Sequence, residues 1–413
     1  MRKAILVGID RFKGNRITVY MDELDALART LGIESVARFT QDAAYATAAY
    51  RIGTGKVEEV KAAIDDTEAD LILFNDELTS SQIRNLEDAL NRPVVDRTLL
   101  ILDIFAKRAR TREAQLQVEV AQLKYLLPRL KSLTASFERQ QGGIGSRGPG
   151  EKKIELSRRK IETDIVRLKK QLDNIVTVRQ TNRRYRRKSP IKTVAVVGYT
   201  NAGKSTLMNT LLAHSKNGNG GNVHVKDQLF ATLETTSRRI ELPNRKPFVL
   251  TDTIGFISNL PHDLVDSFKS TLEEIKEADL LLHVIDFSNP YYFEQITTTR
   301  NVLSELDADH IETLYVFNKI DLTDDTVPHG FSPAVKVSLK DNRNIDQLID
   351  KLSDLLAEGD KTITYRIPFK DGDVLSDLTE NAQILEKKHD EDGTLIKARV
   401  PSDIRAKYQD YEA

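Results

Sequence analysis

Apolar positions recur along this chain in distinct rhythms. Over residues 1 to about 100, short apolar runs ("AILVGI", "SVARFT", "DLILFND", "RPVVD") alternate with stretches of helical period ("MDELDALARTL", "VEEVKAAID", "TSSQIRNLEDAL"). Parallel strands need a crossover between them, so this alternation predicts a small α/β domain with a mainly parallel sheet. From Leu99 to Phe137 the rhythm is helical: Leu116, Val120, Leu123, Leu127 and Leu130 repeat at four- and three-residue intervals, and Ile161, Ile165, Leu168, Leu172 and Ile175 do the same. Both carry the seam of a coiled coil. Pro128 removes a backbone donor and is expected to bend the first helix near its far end. Between the two runs lies "QQGGIGSRGPGE" (140–151), too rich in glycine to continue either helix. An antiparallel hairpin with a mobile tip follows, and the tip exceeds the roughly 2 to 8 residues of ordinary interhelix turns.

After the boundary marker Pro190 the strand-and-helix alternation returns. "TVAVVG", "PFVLTD" and "LYVFN" are apolar strands, and "LLLHVI" is the longest later apolar run. Beyond Gly359, "TITYRIPF", "DVLSDLTENA", "QILEKKH" and "TLIKARVPSDI" predict a strand, a helix, two strands and a short helix. The expected organisation is a multidomain α/β protein. Residues 1–100 form an α/β domain, 101–188 a helical hairpin, 189–359 a nucleotide-binding domain and 360–413 a small α+β domain.

Composition narrows the chemistry. There is no cysteine among the 413 residues, which excludes disulfides, thiolate metal sites and cysteine nucleophiles. Asp10 interrupts the N-terminal apolar run too early for a secretory segment, and no apolar run approaches a membrane span, so a cytoplasmic protein is expected. The formal net charge is only -1, yet Lys107 to Lys188 holds 23 Lys and Arg against 8 Asp and Glu. Solvated helix faces mix signs; an excess of one sign over a hairpin suits a polyanion. Arg147 in the tip, Lys152 and Lys153 beside it, and Arg183 and Arg184 at the base are the candidate RNA contacts.

"GYTNAGKST" (198–206) sits between "TVAVVG" and the helical "LMNTLLA". It fits the phosphate-loop pattern without a departure: Gly198, Gly203, Lys204 and Ser205 at the required spacing, with Tyr199, Thr200, Asn201, Ala202 and Thr206 completing the wrap. Glycines let backbone amides approach phosphate, Lys204 reaches the β and γ oxygens, and the Ser205 hydroxyl suits Mg²⁺. Downstream, "DTIG" places Asp252, Thr253, Ile254 and Gly255 after a strand, giving a carboxylate near the metal and an amide for the γ-phosphate. "NKID" then presents Asn318, Lys319 and Asp321. A carboxylate accepts from guanine N1 and N2, donors that adenine lacks, while a lysine stem packs on the base. Ser338, Leu339 and Lys340 in "VKVSLK" form the last base-side loop. Three motifs in this order predict GTP as the nucleotide. A second glycine turn, "RIGTGKVEEV" (51–60), lacks the spacer and the hydroxyl after its lysine. Its two readings are a turn that opens a helix at Val57 and a contact with RNA phosphates.

Together "GTGKVEE", "NDELTSSQIRNLE", "VVDRTLLILDIFAKRARTREAQLQVEVAQLKYLLPRL", "GGIGSRGPGE", "GYTNAGKST", "LFATLETTSRR", "DTIGFI" and "NKID" resemble HflX-type GTPases, of the translation-factor-related class that includes Obg and Era. The likeness spans nearly the whole chain. It implies Mg²⁺-dependent GTP hydrolysis, binding to the large ribosomal subunit and its RNA, subunit-stimulated turnover, and splitting of stalled or idle ribosomes. It also places the effector loop on "LFATLETTSRR". There Thr232 is the first choice to join Ser205 and Asp252 around the metal, with Thr235 and Thr236 as competitors. The family commonly has Asp-Pro where this chain has Glu234-Thr235. Lys204, Thr232 and Asn201 are the catalytic candidates.

Phe256 follows Gly255 where many GTPases carry a glutamine that orients water, and an aromatic ring cannot do this. Asn201 resembles the asparagine that seats K⁺ in related potassium-dependent GTPases; it is equally a residue that favours turns. A monomer is expected. Two rivals to the GTPase reading remain at this level: a remodelling nucleotidase that also uses ATP, against which "NKID" speaks, and a nucleotide-gated RNA-binding module with negligible turnover.

Overall fold

A computed structural model gives the fold. It describes residues 2–11, 16–140, 149–186, 191–216, 230, 235–243, 245–257, 272–357, 359–390, 392–400 and 402–413, and excludes the side chains of 131–140, 149–154, 176–186 and 402–403. The chain forms two compact units, one built mainly from Met1–Asn182 and the other mainly from Arg183–Asp227, Glu234–Ser258 and Ser270–Ala413.

In the first unit β1 (Arg2–Asp10), β2 (Ile33–Asp42), β3 (Leu71–Phe74) and β4 (Val94–Asp96) form a sheet in the order β2-β1-β3-β4. Every pairing is parallel. The crossovers are α1 (Arg16–Thr30), α2 (Thr54–Thr67) and α3 (Ser80–Leu90). Apolar side chains of β1 and β3 (Ile5, Val7, Ile72, Phe74) pack on Val57, Val60 and Ile64 of α2 and on Leu86 and Leu90 of α3. The ends of α3 follow from local chemistry: Thr79 and Gln82 make a reciprocal capping box, and Asn91 closes the helix in the left-handed region. Helix α2 begins at Thr54, three residues before the expected Val57, with extended Gly53 as its cap. The Gly53 amide donates to Gln41 Oε1 at 2.9 Å.

Asp96 ends β4 and opens α4 (Arg97–Arg108), accepting the Leu99 amide at 2.9 Å. The hairpin follows as α5 (Arg112–Gln140) and α6 (Pro149–Arg186). Leu116, Val120 and Leu168 make its buried seam, flanked by Leu123, Leu172 and Ile175, in the register expected from their spacing. Helix α5 runs on through Pro128. Pro149 opens α6, where a missing amide proton costs nothing. The glycine-rich tip, with Arg147, lies outside the described residues.

The second unit holds β5 (Thr193–Gly198), β6 (Thr236–Ile240), β7 (Phe248–Asp252), β8 (Leu280–Asp286), β9 (Thr313–Asn318) and β10 (Ala334–Lys336) in one sheet, ordered β10-β9-β8-β5-β7-β6. All neighbours are parallel except β6, which runs antiparallel to β7. Its helices include α7 (Lys204–Ala213), α8 (Tyr292–Glu305) and α9 (Ile345–Leu356). Valines and leucines of β5, β8 and β9 form one core with α7 and α9. Strands β11 (Lys361–Ile367), β12 (Gln383–His389) and β13 (Thr394–Val400) make a separate antiparallel sheet, β11-β13-β12, with α10 (Gly372–Asn381) and α11 (Ser402–Lys407). Its core is its own, around Tyr365, Leu378, Ile396 and Ala398. Among the described residues no helix is long and apolar enough to cross a membrane.

The candidate nucleotide site

Strands β5, β7, β8 and β9 all deliver their carboxyl ends to one edge of the large sheet, where open α/β sheets bind ligands. The loop after β5 is Gly198–Lys204. Gly198 has φ +142, and a Cβ there would stand 2.2 Å from the Val284 carbonyl oxygen. Gly203 (φ +106) caps α7, and a Cβ there would lie 2.3 Å from Asn318 Nδ2. Both positions require glycine, for lack of space as well as for backbone sign.

Lys204 is buried and folds over its own loop, donating to the Tyr199 carbonyl at 2.7 Å and the Gly198 carbonyl at 3.1 Å. Burial pushes its ammonium down to about 8, against the pull of Asp252. Phosphate oxygens would relieve that desolvation. The Ser205 hydroxyl donates to Asp252 Oδ2 at 3.0 Å, and Asp252 is fully buried at the end of β7. A hydroxyl and a carboxylate that meet beside the phosphate loop are hard oxygen donors of the kind Mg²⁺ takes, and the residues present fit that ion. Thr253 donates to the Val196 carbonyl at 2.6 Å and so ties the start of the "DTIG" loop to β5. A Cβ on Gly255 would fall 2.8 Å from Lys204 Nζ and 2.9 Å from Thr200 Cγ2.

Phe256 is only 2% exposed, with its amide donating to the Gly198 carbonyl at 3.1 Å and its carbonyl accepting the Thr200 amide at 2.7 Å. Its ring is a core side chain and its backbone braces the phosphate loop. This is why it orients no water.

On the base side, buried Asn318 bridges two loops: Nδ2 donates to the Ala202 carbonyl at 2.8 Å, and Oδ1 accepts the Leu339 amide at 3.1 Å. The asparagine of "NKID" therefore holds the phosphate loop to the base loop. Asp321 Oδ1 accepts the Ser338 hydroxyl at 2.7 Å, and that bond holds the carboxyl below its ordinary range. Ser338 itself is fixed by paired backbone bonds with Arg343. Lys319 (φ +66) donates to Asp286 Oδ2 at 2.6 Å. Sequence reasoning missed Asp286. The signal was present, a carboxylate at the end of the apolar strand "LLLHVID", but which strand ends adjoin is not written along a chain.

Of the expected site residues, Gly198 to Thr206, Asp252 to Gly255, and Asn318, Lys319, Asp321, Ser338 and Leu339 all lie at this edge, on its loops or on the strand and helix ends that flank them; Lys340 follows them with an exposed side chain. Asn201 is exposed and left-handed at φ +61. Thr236, a competitor for the switch role, is paired in β6 directly opposite Asp252. Thr232 and Arg147 lie outside the described residues, as do the side chains of Lys152, Lys153, Arg183 and Arg184 on α6.

The chain matches three family models in succession. Residues 18–106 match a GTP-binding GTPase N-terminal region, 108–186 a GTP-binding GTPase middle region, and 193–319 a 50S ribosome-binding GTPase. A relative named GTPase HflX from Caldanaerobacter subterraneus subsp. tengcongensis is 44% identical over 99% of this chain and 93% of its own length. One of the same name from Escherichia coli is 40% identical over 97% of this chain and 93% of its own. A solved structure of SsGBP in complex with GDP has the same fold at 24% identity, with a TM-score of 0.50 over 87% of this chain and 99% of that one.

Proposed function

Because this chain belongs to the HflX family of GTPases, and so binds and hydrolyses GTP, we propose that it acts on ribosomes: it binds the large subunit through ribosomal RNA and splits stalled or idle ribosomes, with turnover stimulated by the subunit. The observation that carries this is the match of residues 193–319 to a 50S ribosome-binding GTPase. The hairpin supports it, because a segment with 23 basic and 8 acidic residues releases counterions from RNA.

In the site, Asp321 and Ser338 select guanine, Lys204 and the loop amides bind the β- and γ-phosphates, and Gly255 presents its amide to the γ-phosphate. Ser205 and Asp252, with Thr232 from the effector loop, would hold Mg²⁺, which supplies charge neutralisation on the phosphates. Asn201 is where a K⁺ ion would sit beside them; its exposed side chain at the loop supports that use.

The test is light scattering of intact ribosomes mixed with the full chain and GTP or a non-hydrolysable analogue, alongside GTP turnover with purified large subunits in matched potassium and sodium buffers. Nucleotide-dependent loss of scattering and faster turnover with subunits are expected, faster in potassium for wild type but not for Asn201→Ala. Scattering that stays constant with either nucleotide would exclude splitting, and equal rates in the two salts would exclude the cation.

A further inference from the structure

We propose that the Thr200 hydroxyl orients the water that attacks GTP. The inference rests on GTP hydrolysis itself and not on the ribosomal reading.

A GTPase needs a group that turns a water lone pair toward the γ-phosphorus, and Phe256 is buried in the core. The buried polar side chains beside it are already engaged, Ser205 with Asp252, Thr253 with Val196, Lys204 with Gly198 and Tyr199, and Asn318 with Ala202 and Leu339, while Asn201 is exposed. Thr200 differs. It is 6% exposed, and its hydroxyl oxygen is buried with no hydrogen-bond partner among the described residues. A hydroxyl so placed is destabilising unless something pairs with it. A valine of the same shape would avoid that cost, so the oxygen at this position is explained by a partner that arrives with the nucleotide.

Its surroundings say which partner. The Thr200 methyl and the Lys204 ammonium both lie within 3 Å of the point where a Gly255 Cβ would stand. Lysine and glycine amide are the two groups that meet the γ-phosphate, so the Thr200 side chain borders the end of the nucleotide where water attacks. The Thr200 amide is held by the Phe256 carbonyl at 2.7 Å, which fixes the residue before substrate arrives. Phe256 thus contributes through its backbone.

In the step, the Thr200 oxygen accepts one O–H of the water while its own proton is donated to a γ-phosphate oxygen. The water oxygen bonds to the γ-phosphorus as the bond from that phosphorus to the β–γ bridging oxygen breaks. The electron pair leaves with GDP, and the proton lost by the water passes to the released phosphate.

The experiment compares wild type with Thr200→Val and Thr200→Ser, using the full chain without ribosomes. It measures single-turnover GTP hydrolysis and the dissociation constants for GTP and GDP. Thr200→Val keeps the volume and loses the hydroxyl; its rate should fall about 10- to 100-fold, the scale of losing one transition-state hydrogen bond. Its GTP affinity should stay within about threefold of wild type, and Thr200→Ser should recover the rate to within about threefold, the pattern of an interaction made only in the transition state. An unchanged rate in Thr200→Val, a serine variant as slow as the valine one, or a loss of GTP affinity as large as the loss of rate would each overturn the proposal. Should Thr200→Val fail to hold GDP, Thr200→Ala removes the same hydroxyl with less bulk and is judged by the same criteria.

Discussion

The two larger sheets make an instructive pair, because each brings parallel strand ends and a glycine-lysine sequence to its carboxyl edge and the two edges use their charged groups differently. In the first unit the charged groups at that edge pair mainly with one another, although Gln41 Nε2, Arg51 Nε and Arg97 Nε are buried without a hydrogen-bond partner among the described residues. Asp96, fully buried, accepts the Leu99 and Leu78 amides, the Tyr125 hydroxyl at 2.6 Å and Arg129 at 3.3 Å. Arg97 pairs with Asn75 and Glu23, and Asp76 with Arg11 and Arg51. In its "GTGK" turn, Lys56 is spent on Glu59 at 2.6 Å and the Gly53 amide on Gln41. In the second unit Lys204 donates to loop carbonyls that a phosphate oxygen can replace, and Thr200 carries an unspent hydroxyl. Shared architecture does not make a site. What matters is whether the charged groups at the edge are held by one another or by loop carbonyls that a phosphate can replace.

The sharpest way to break this contrast is Asp96→Ala. It removes one side of a buried charged cluster that also anchors α5 through Tyr125 and Arg129, so the first unit should lose about 3–5 kcal/mol. Denaturation followed by far-UV circular dichroism should show that loss, while GTP affinity stays at the wild-type value. A fall in GTP affinity with little loss of stability would reverse the roles of the two edges.

On the other edge, Asp321→Asn should leave stability near wild type and weaken GTP binding by about 1.5–3 kcal/mol, the worth of a charge-assisted hydrogen bond. Preference should move toward xanthine nucleotides, whose added carbonyl accepts from the new amide. Competition binding with GTP and XTP measures both effects, and an unaltered ranking would remove Asp321 from the base site.

A smaller effect follows from Lys204, whose buried ammonium titrates at about 8 before nucleotide binds. Phosphate charge raises that value, so binding takes up a proton where the free lysine is partly neutral. Affinity is therefore insensitive to pH well below 8 and falls as pH rises above it, by at most about 1.4 kcal/mol per pH unit. Calorimetry in buffers of different ionisation enthalpy should detect proton uptake near pH 8 and little at pH 6.5. No uptake at pH 8 would mean the lysine is as solvated as those on the surface.

Much of this was already legible along the chain. Alternating periods marked both sheets, the hairpin seam came out as spaced, and the phosphate loop, "DTIG" and "NKID" stand where their spacing put them, because chain neighbours within one turn or strand carry those signals. Other features were not legible. Helix α2 starts at Thr54, three residues before Val57, and the Gly53 amide ahead of it is taken by the side chain of Gln41 on β2, a contact that local pattern does not show.

Local pattern by itself determined the elements, their order, the phosphate and guanine motifs and the charge of the hairpin. Residue type, spacing and net charge are properties of the chain before it folds. Only the tertiary structure decided which strand ends meet. It set Asp286 against Lys319, joined Asn318 to both loops, buried Phe256 and left the Thr200 hydroxyl without a partner among the described residues. Those facts depend on contacts between segments far apart in sequence, and whether a polar group is spent or available is settled only when its neighbours in space are in place.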